Sequence, residues 1–159
     1  MKIFFDTNVW IAAFLTPGAC SEVLEHGLTH HSLLTSRQVL DEISDKLINK
    51  LRFSRTIVGR FLKFVRENSE LVHFDSSPPC LCRDPDDNKI LAAALAGEAD
   101  CLITGDRDLL SLESFEEIPV IKPSDFWRFD ALTRRLPPKL NDPEQRFTKR
   151  AWESSGSPL

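Results

Sequence analysis

The stretch from Arg83 to Leu110, RDPDDNKILAAALAGEADCLITGDRDLL, sets carboxylates at both ends of an apolar middle. KILAAALA carries a helical period and CLIT reads as a short buried strand, with Gly97 where a helix commonly stops. Asp84, Asp86 and Asp87 precede the helix; Asp106 and Asp108 follow the strand. With Ile90 at zero and about 100° per residue, Leu91, Ala94 and Leu95 fall at roughly 100°, 40° and 140°, and Asp87 at roughly 60°. Asp87 therefore shares the expected buried stripe. Asp86, at roughly 320°, is expected to face solvent and to interact with the helix dipole. Asp84, ahead of the helix, is assigned to neither set.

Working outward, the apolar runs KIFF (2–5), SLLT (32–35), LVHF (71–74) and PVI (119–121) read as further strands. Helical patterns cover 8–15, 19–27, 36–51, 54–68, 86–96 and 123–132, with Ser36 and Ser54 as N-caps and Gly27 as a stop. This alternation predicts an α/β fold in three layers, a parallel sheet with helices on both faces. Sites in such sheets collect beyond the carboxyl ends of the strands. Asp6 follows KIFF and Asp106 follows CLITG, so both are expected on one edge. Asp75, after LVHF, is a further acid at a strand end. In VLDEISDKLINKL, residues Val39, Leu40, Ile43 and Leu47 share one side, and periodicity does not choose between Asp41 and Glu42.

Four or more carboxylates in one pocket repel one another unless a cation offsets them. An all-oxygen set suits Mg²⁺ or Mn²⁺ rather than zinc, and such a centre activates water at a phosphoryl group. Hydrolysis of phosphodiesters follows as the expected chemistry.

The 159 residues, 42% hydrophobic and 28% charged, suffice for one domain. We place it at 1–135, followed by a polar, proline-containing tail at 136–159 that is expected to be flexible. No run approaches a membrane span, and MKIFFDTNVW lacks the apolar stretch and cleavage site of a signal peptide, so a cytoplasmic protein is expected. Cys20, Cys80, Cys82 and Cys101 form neither a CxxC pair nor a zinc-ligand pattern. His30 and His31 read as a solvated loop pair.

The net charge of -4 argues against a protein that coats nucleic acid nonspecifically. The average conceals a basic segment, 45–67, with seven basic residues against two acidic ones. Arg55, Arg60 and Lys63 within it are candidates for holding the phosphates of a nucleic acid beside an acidic pocket.

FFDTNVW, SRQVLDEI, DPDDNKILAAALAGEADCLITGDRDLL and PVIKPSDFW, in this order and spacing, make the chain resemble a PIN domain. That metal-dependent nuclease family includes the VapC-like toxins of type II toxin-antitoxin modules. The resemblance spans roughly residues 1–130. It implies catalytic acids at Asp6, Glu42, Asp87 and Asp106, choosing Glu42 over Asp41, with Asp108 also on the metal. It implies supporting roles for Asn8 and Thr104, and Mg²⁺ or Mn²⁺ as cofactor. It further implies an endoribonuclease preferring single strands, leaving a 5′-phosphate and a 3′-hydroxyl, with an antitoxin protein as partner and a homodimer as assembly. Two other classes fit fewer residues. A non-catalytic PIN-like module binding RNA or protein would not need the full acid set. A phosphohydrolase of haloacid dehalogenase or receiver type would want an Asp where Asn8 stands, or a better-placed Lys than Lys122.

Overall fold

The computed structural model describes residues 1–74 and 82–135. Among these the strands are β1 (Lys2–Phe5), β2 (Ser32–Ser36), β3 (Glu70–Val72), β4 (Cys101–Ile103), β5 (Ser114–Phe115) and β6 (Ile118–Ile121). The helices are α1 (Thr7–Leu15), α2 (Ala19–His30), α3 (Arg37–Asp45), α4 (Arg55–Glu67), α5 (Pro85–Ala96), α6 (Arg107–Leu110) and α7 (Phe126–Arg134). A π-helical turn, Lys46–Lys50, prolongs α3, and a 3₁₀ turn, Pro123–Asp125, precedes α7.

The sheet order is β3-β2-β1-β4-β6-β5, parallel except for β5, which runs antiparallel to β6. Ile3 lies in register with Leu33 on one side and Cys101 on the other. Ile3, Phe4 and Phe5 are buried without a polar alternation, as a central strand covered on both faces requires. The chain grows outward through β2 and β3 in one direction and through β4 and β6 in the other. The order therefore reverses between β1 and β4, where open α/β sheets place their ligand crevices. The α/β fold with a mostly parallel sheet matches the expectation from sequence.

Ser36 and Ser54 cap α3 and α4, each side-chain oxygen accepting the N–H of the residue three positions on, Val39 and Ile57. Val39, Leu40, Ile43 and Leu47 are all buried. Gly27, however, is not a helix stop. It lies inside α2 because a Cβ there would come within 2.8 Å of Leu33 Cδ2, so the residue serves close packing on β2. Gly97 does end α5, and a Cβ on it would meet Val72 and Leu34. Leu95, expected on the buried stripe, is exposed, while Asn88 is buried in its stead.

The hairpin from β5 to β6 was not anticipated. Phe115 pairs with Ile118, leaving Glu116 and Glu117 as a two-residue turn with φ of 45° and 68°. Two left-handed residues are what a type I′ turn demands, and Asn-Gly is the usual sequence for it. Glu116→Asn with Glu117→Gly is expected to stabilise the fold by about 1 kcal/mol, read as a midpoint about 2–4 °C higher. An unchanged or lowered midpoint contradicts the assignment of strain to this turn.

The chain divides into two units, Met1–Pro123 and Ser124–Leu159. The first contains the whole sheet and α1 to α6. In the described part of the second, Arg134 Nε lies 3.0 Å from Asp130 Oδ2 and Phe126 meets Trp127 edge-on. No helix among the described residues is long and apolar enough to cross a membrane.

Candidate active site

Asp6 leaves β1 at its carboxyl end and caps α1. Its Oδ1 accepts the Thr7 N–H at 2.7 Å and its Oδ2 accepts the Thr104 hydroxyl at 2.8 Å. The carboxylate is buried, and burial raises its pKa above the ordinary range. The two hydrogen bonds, from Thr104 and then Thr7, oppose that rise; Glu42 adds to it and Lys46 offsets part of it.

Thr104 joins two acids. While its hydroxyl donates to Asp6, the same oxygen accepts the Asp106 N–H at 3.0 Å. Asp106 in turn caps α6, its Oδ1 accepting the N–H of Asp108 at 2.8 Å and of Leu109 at 3.4 Å. On the other side, Thr7 donates its hydroxyl to Glu42 Oε2 at 2.7 Å, and Gln38 donates to Glu42 Oε1 at 2.8 Å. Asp41 is exposed and pairs with Arg37 at 3.1 Å. Asn8 is exposed and accepts from Lys46 Nζ at 3.0 Å, which places it on the cation that acts on Asp6.

α5 presents its first turn to the same edge. Asp84 caps the helix by accepting the Asp86 N–H at 2.9 Å. Asp86 is exposed and pairs with Lys89 at 3.3 Å. Asp87 is half-buried, and one carboxylate oxygen from each of Asp87, Asp106 and Asp108 lies within 4.8 Å of the others. The buried Asn88 amide fixes the approach to this turn: its Oδ1 accepts the Cys82 N–H at 2.9 Å and its Nδ2 donates to the Cys82 carbonyl at 3.2 Å. Burial, and then the charges of Asp106, Asp84, Asp6 and Asp108, push Asp87 up to about 7.

The structure thus brings together Asp6, Glu42, Asp87, Asp106 and Asp108, with Thr104 between two of them. Arg55, Arg60 and Lys63 lie exposed on α4, where Lys63 stands 3.8 Å from Glu67. Asp75 and the tail at 136–159 lie outside the described residues. Thr7 and Gln38 were missed. Thr7 sits in the DTN signature itself, but an interior hydroxyl beside a cap carries no sequence mark of its partner. Beside Glu42 opens a groove of about 610 Å³, lined among others by Arg37, Gln38, Phe74, Asp86 and Lys89.

Three carboxylates at this separation, all at the N-terminal turns of α5 and α6, form a hard oxygen set that fits Mg²⁺ or Mn²⁺. The raised Asp87 pKa has a consequence for the protein kept free of divalent cations. A carboxyl at about 7 when folded and about 3.9 when unfolded binds more protons in the native state between those values. Stability from this group is fully present below about pH 4 and is lost as the pH rises through 7. Denaturant midpoints in a chelator from pH 5 to 8 are expected to fall, and Asp87→Asn to flatten the fall. An equally steep decline in the variant contradicts the assignment.

An open parallel sheet with carboxylates gathered at its switch point defines an α/β domain with an acid-centred site. The family model described as PIN domain matches residues 2–108, and the chain belongs to the PIN-domain family. PIN domains are, as a family, nucleases that use divalent metal ions. An uncharacterised protein of Methanocaldococcus jannaschii is 32% identical over 117 residues, covering 70% of this chain and 75% of the relative. A chain in the crystal structure of VapBC2 from Rickettsia felis, solved bound to a DNA fragment from the promoter, shares the fold. Its TM-score is 0.59 at 17% identity, over 77% of this chain and 98% of that one. Family membership sets aside the phosphohydrolase alternative.

Proposed function

We propose that the protein is a Mg²⁺- or Mn²⁺-dependent endoribonuclease that prefers single strands and is the toxin of a toxin-antitoxin pair. The convergence of acids from β1, α3, α5 and the β4–α6 turn at one sheet edge carries this reading. When bound, the divalent ion supplies charge neutralisation at the scissile phosphate and lowers the pKa of the attacking water. The chain's own part is to hold the carboxylates in place. Thr7 and Thr104 fix Asp6, Thr7 and Gln38 fix Glu42, and the caps of α5 and α6 aim Asp87 and Asp106. Water attack on phosphorus breaks the P–O3′ bond and leaves a 5′-phosphate.

Incubation with a mixed-sequence RNA pool and Mg²⁺ or Mn²⁺ is expected to give fragments, and a chelator to stop their formation. No cleavage with either cation would favour the binding-module reading instead.

RNA approaches along the exposed basic face of α4. Replacing Arg55, Arg60 and Lys63 together with Gln is expected to raise KM several-fold and flatten its salt dependence, because each lost phosphate contact removes a released counterion. The single-turnover rate at saturating RNA should change little. An unchanged salt slope contradicts this path.

The VapBC2 neighbour is a complex of two proteins with promoter DNA, and it supports an antitoxin as partner here. The exposed apolar residues Leu15, Leu51, Ile57 and Phe64 support a surface for a protein partner, and a homodimer belongs to the same proposal.

A further inference from the structure

Beside the acids gathered at the sheet edge stands one half-buried ammonium, that of Lys46. Lys46 follows Glu42 by four residues, so the two side chains leave α3 and its prolongation on the same side. Lys46 Nζ donates to Asn8 Oδ1 at 3.0 Å, and Asn8 lies two residues beyond Asp6. The charge on Lys46 lowers the pKa of Asp6, against the effect of burial. Leu47, fully buried, fixes the chain at this point. The π-helical turn that begins at Lys46 closes with the Leu51 N–H donating to the Lys46 carbonyl at 3.0 Å, and Arg52, next in the chain, takes a φ of 61°. A widened turn followed by a left-handed residue is uncommon and often accompanies a functional site.

The neighbouring cations are already matched. Arg37 lies 3.1 Å from Asp41 and Lys89 lies 3.3 Å from Asp86. Lys46 instead meets a neutral amide and makes no ion pair among the described residues. An ammonium has three N–H donors, and Asn8 takes one of them. Lys46 therefore keeps its charge and two donors for an anion, next to acids whose own charge a bound cation offsets.

We propose that Lys46 is a further catalytic residue: its ammonium, aimed by Asn8, holds a non-bridging oxygen of the scissile phosphate. The inference rests on the nuclease reading. As the water oxygen bonds to phosphorus and the P–O3′ bond breaks, negative charge builds on the phosphoryl oxygens, and an ammonium already in place stabilises it without reorganising. Lys46 keeps its proton throughout, so the bonds made and broken remain those of water and the phosphodiester. This separates it from Arg55, Arg60 and Lys63, which act on the approach of RNA and not on the chemical step. A lysine that only offset the charge of Asp6 would behave otherwise, because a saturating divalent cation does the same and would make it dispensable.

The test is single-turnover cleavage of the mixed RNA pool at saturating RNA and Mn²⁺, with Mn²⁺ binding followed separately by calorimetric titration. Four proteins are compared: the wild type, Lys46→Gln, Lys46→Arg and Lys50→Gln, the last replacing an exposed neighbour. Lys46→Gln is expected to lower the saturated rate at least about thirtyfold, the scale of losing one preorganised donor to developing charge. The same variant should bind Mn²⁺ at least as tightly as the wild type, because a positive charge beside the acids is gone, and that uptake shows its pocket to be intact. Lys46→Arg, which keeps the charge, should be at least about fivefold faster than Lys46→Gln, and Lys50→Gln should match the wild type. A saturated rate for Lys46→Gln within about threefold of the wild type overturns the proposal. So do equal rates for the Gln and Arg variants, or weakened Mn²⁺ binding by Lys46→Gln with the rate restored by excess Mn²⁺. If the wild type does not cleave, the nuclease reading fails and this inference with it; cleavage by the wild type with an unimpaired Lys46→Gln removes this inference alone.

Discussion

Asp6→Asn is expected to lower the cleavage rate by at least about a hundredfold, a barrier increase of about 2.7 kcal/mol, while the protein stays folded. The substitution keeps the shape and removes one charge. Asp6 is buried, with Glu42 acting to raise its pKa further, so the ionised carboxylate is a destabilising group in the cation-free protein. Its loss should leave the thermal midpoint in a chelator at or above that of the wild type. The cost falls on the site, where an amide supplies one acceptor oxygen in place of two and carries no charge for a cation. Activity within about tenfold of wild type, or about 1.4 kcal/mol, contradicts the role of Asp6.

The adjacent pair Asp86 and Asp87 provides the second large effect. Asp87→Asn should cost at least about a hundredfold in turnover, because its carboxylate shares the cluster with Asp106 and Asp108. Asp86→Asn should leave turnover near normal. It removes only an exposed contact to Lys89, and such pairs are worth about 1 kcal/mol or less. The two carboxylates are neighbours in sequence, so nonspecific charge loss would affect both alike. Equal losses in the two variants contradict the separation of their faces.

Particular residues show how much of this was legible in the sequence. KIFF, SLLT, CLIT and PVI announced their strands because buried parallel strands are continuous apolar runs, and β1, β2, β4 and β6 lie there. LVHF was placed too late, since β3 is Glu70–Val72 at the edge of the sheet, where burial on one side weakens the pattern. β5 and α6 are too short for periodicity to register, and Glu116-Glu117 carries none of the residues that mark a two-residue turn. His30 and His31 do not form a loop pair, because α2 runs through Gly27 to His30 and its last turn packs the imidazoles together.

The site divides the same way. The helical angle put Asp87 toward the interior and Asp86 toward solvent, and the structure places them so. Helical position left Asp41 and Glu42 open, for both lie off the centre of the buried stripe. The tertiary partner separates them: Thr7, on α1, reaches Glu42, and Arg37, one turn back on the same helix, holds Asp41. Such a contact between residues 35 apart has no signal in local periodicity.

The most direct test of the acid pocket as a water-activating nuclease centre is end-group analysis of RNA cut by the purified protein in Mg²⁺ or Mn²⁺. The expected fragments carry a 5′-phosphate and a 3′-hydroxyl and do not form in a chelator. A 2′,3′-cyclic phosphate, which needs attack by the neighbouring 2′-hydroxyl and acid-base groups rather than a metal-activated water, would contradict it, as would cleavage that persists in the chelator.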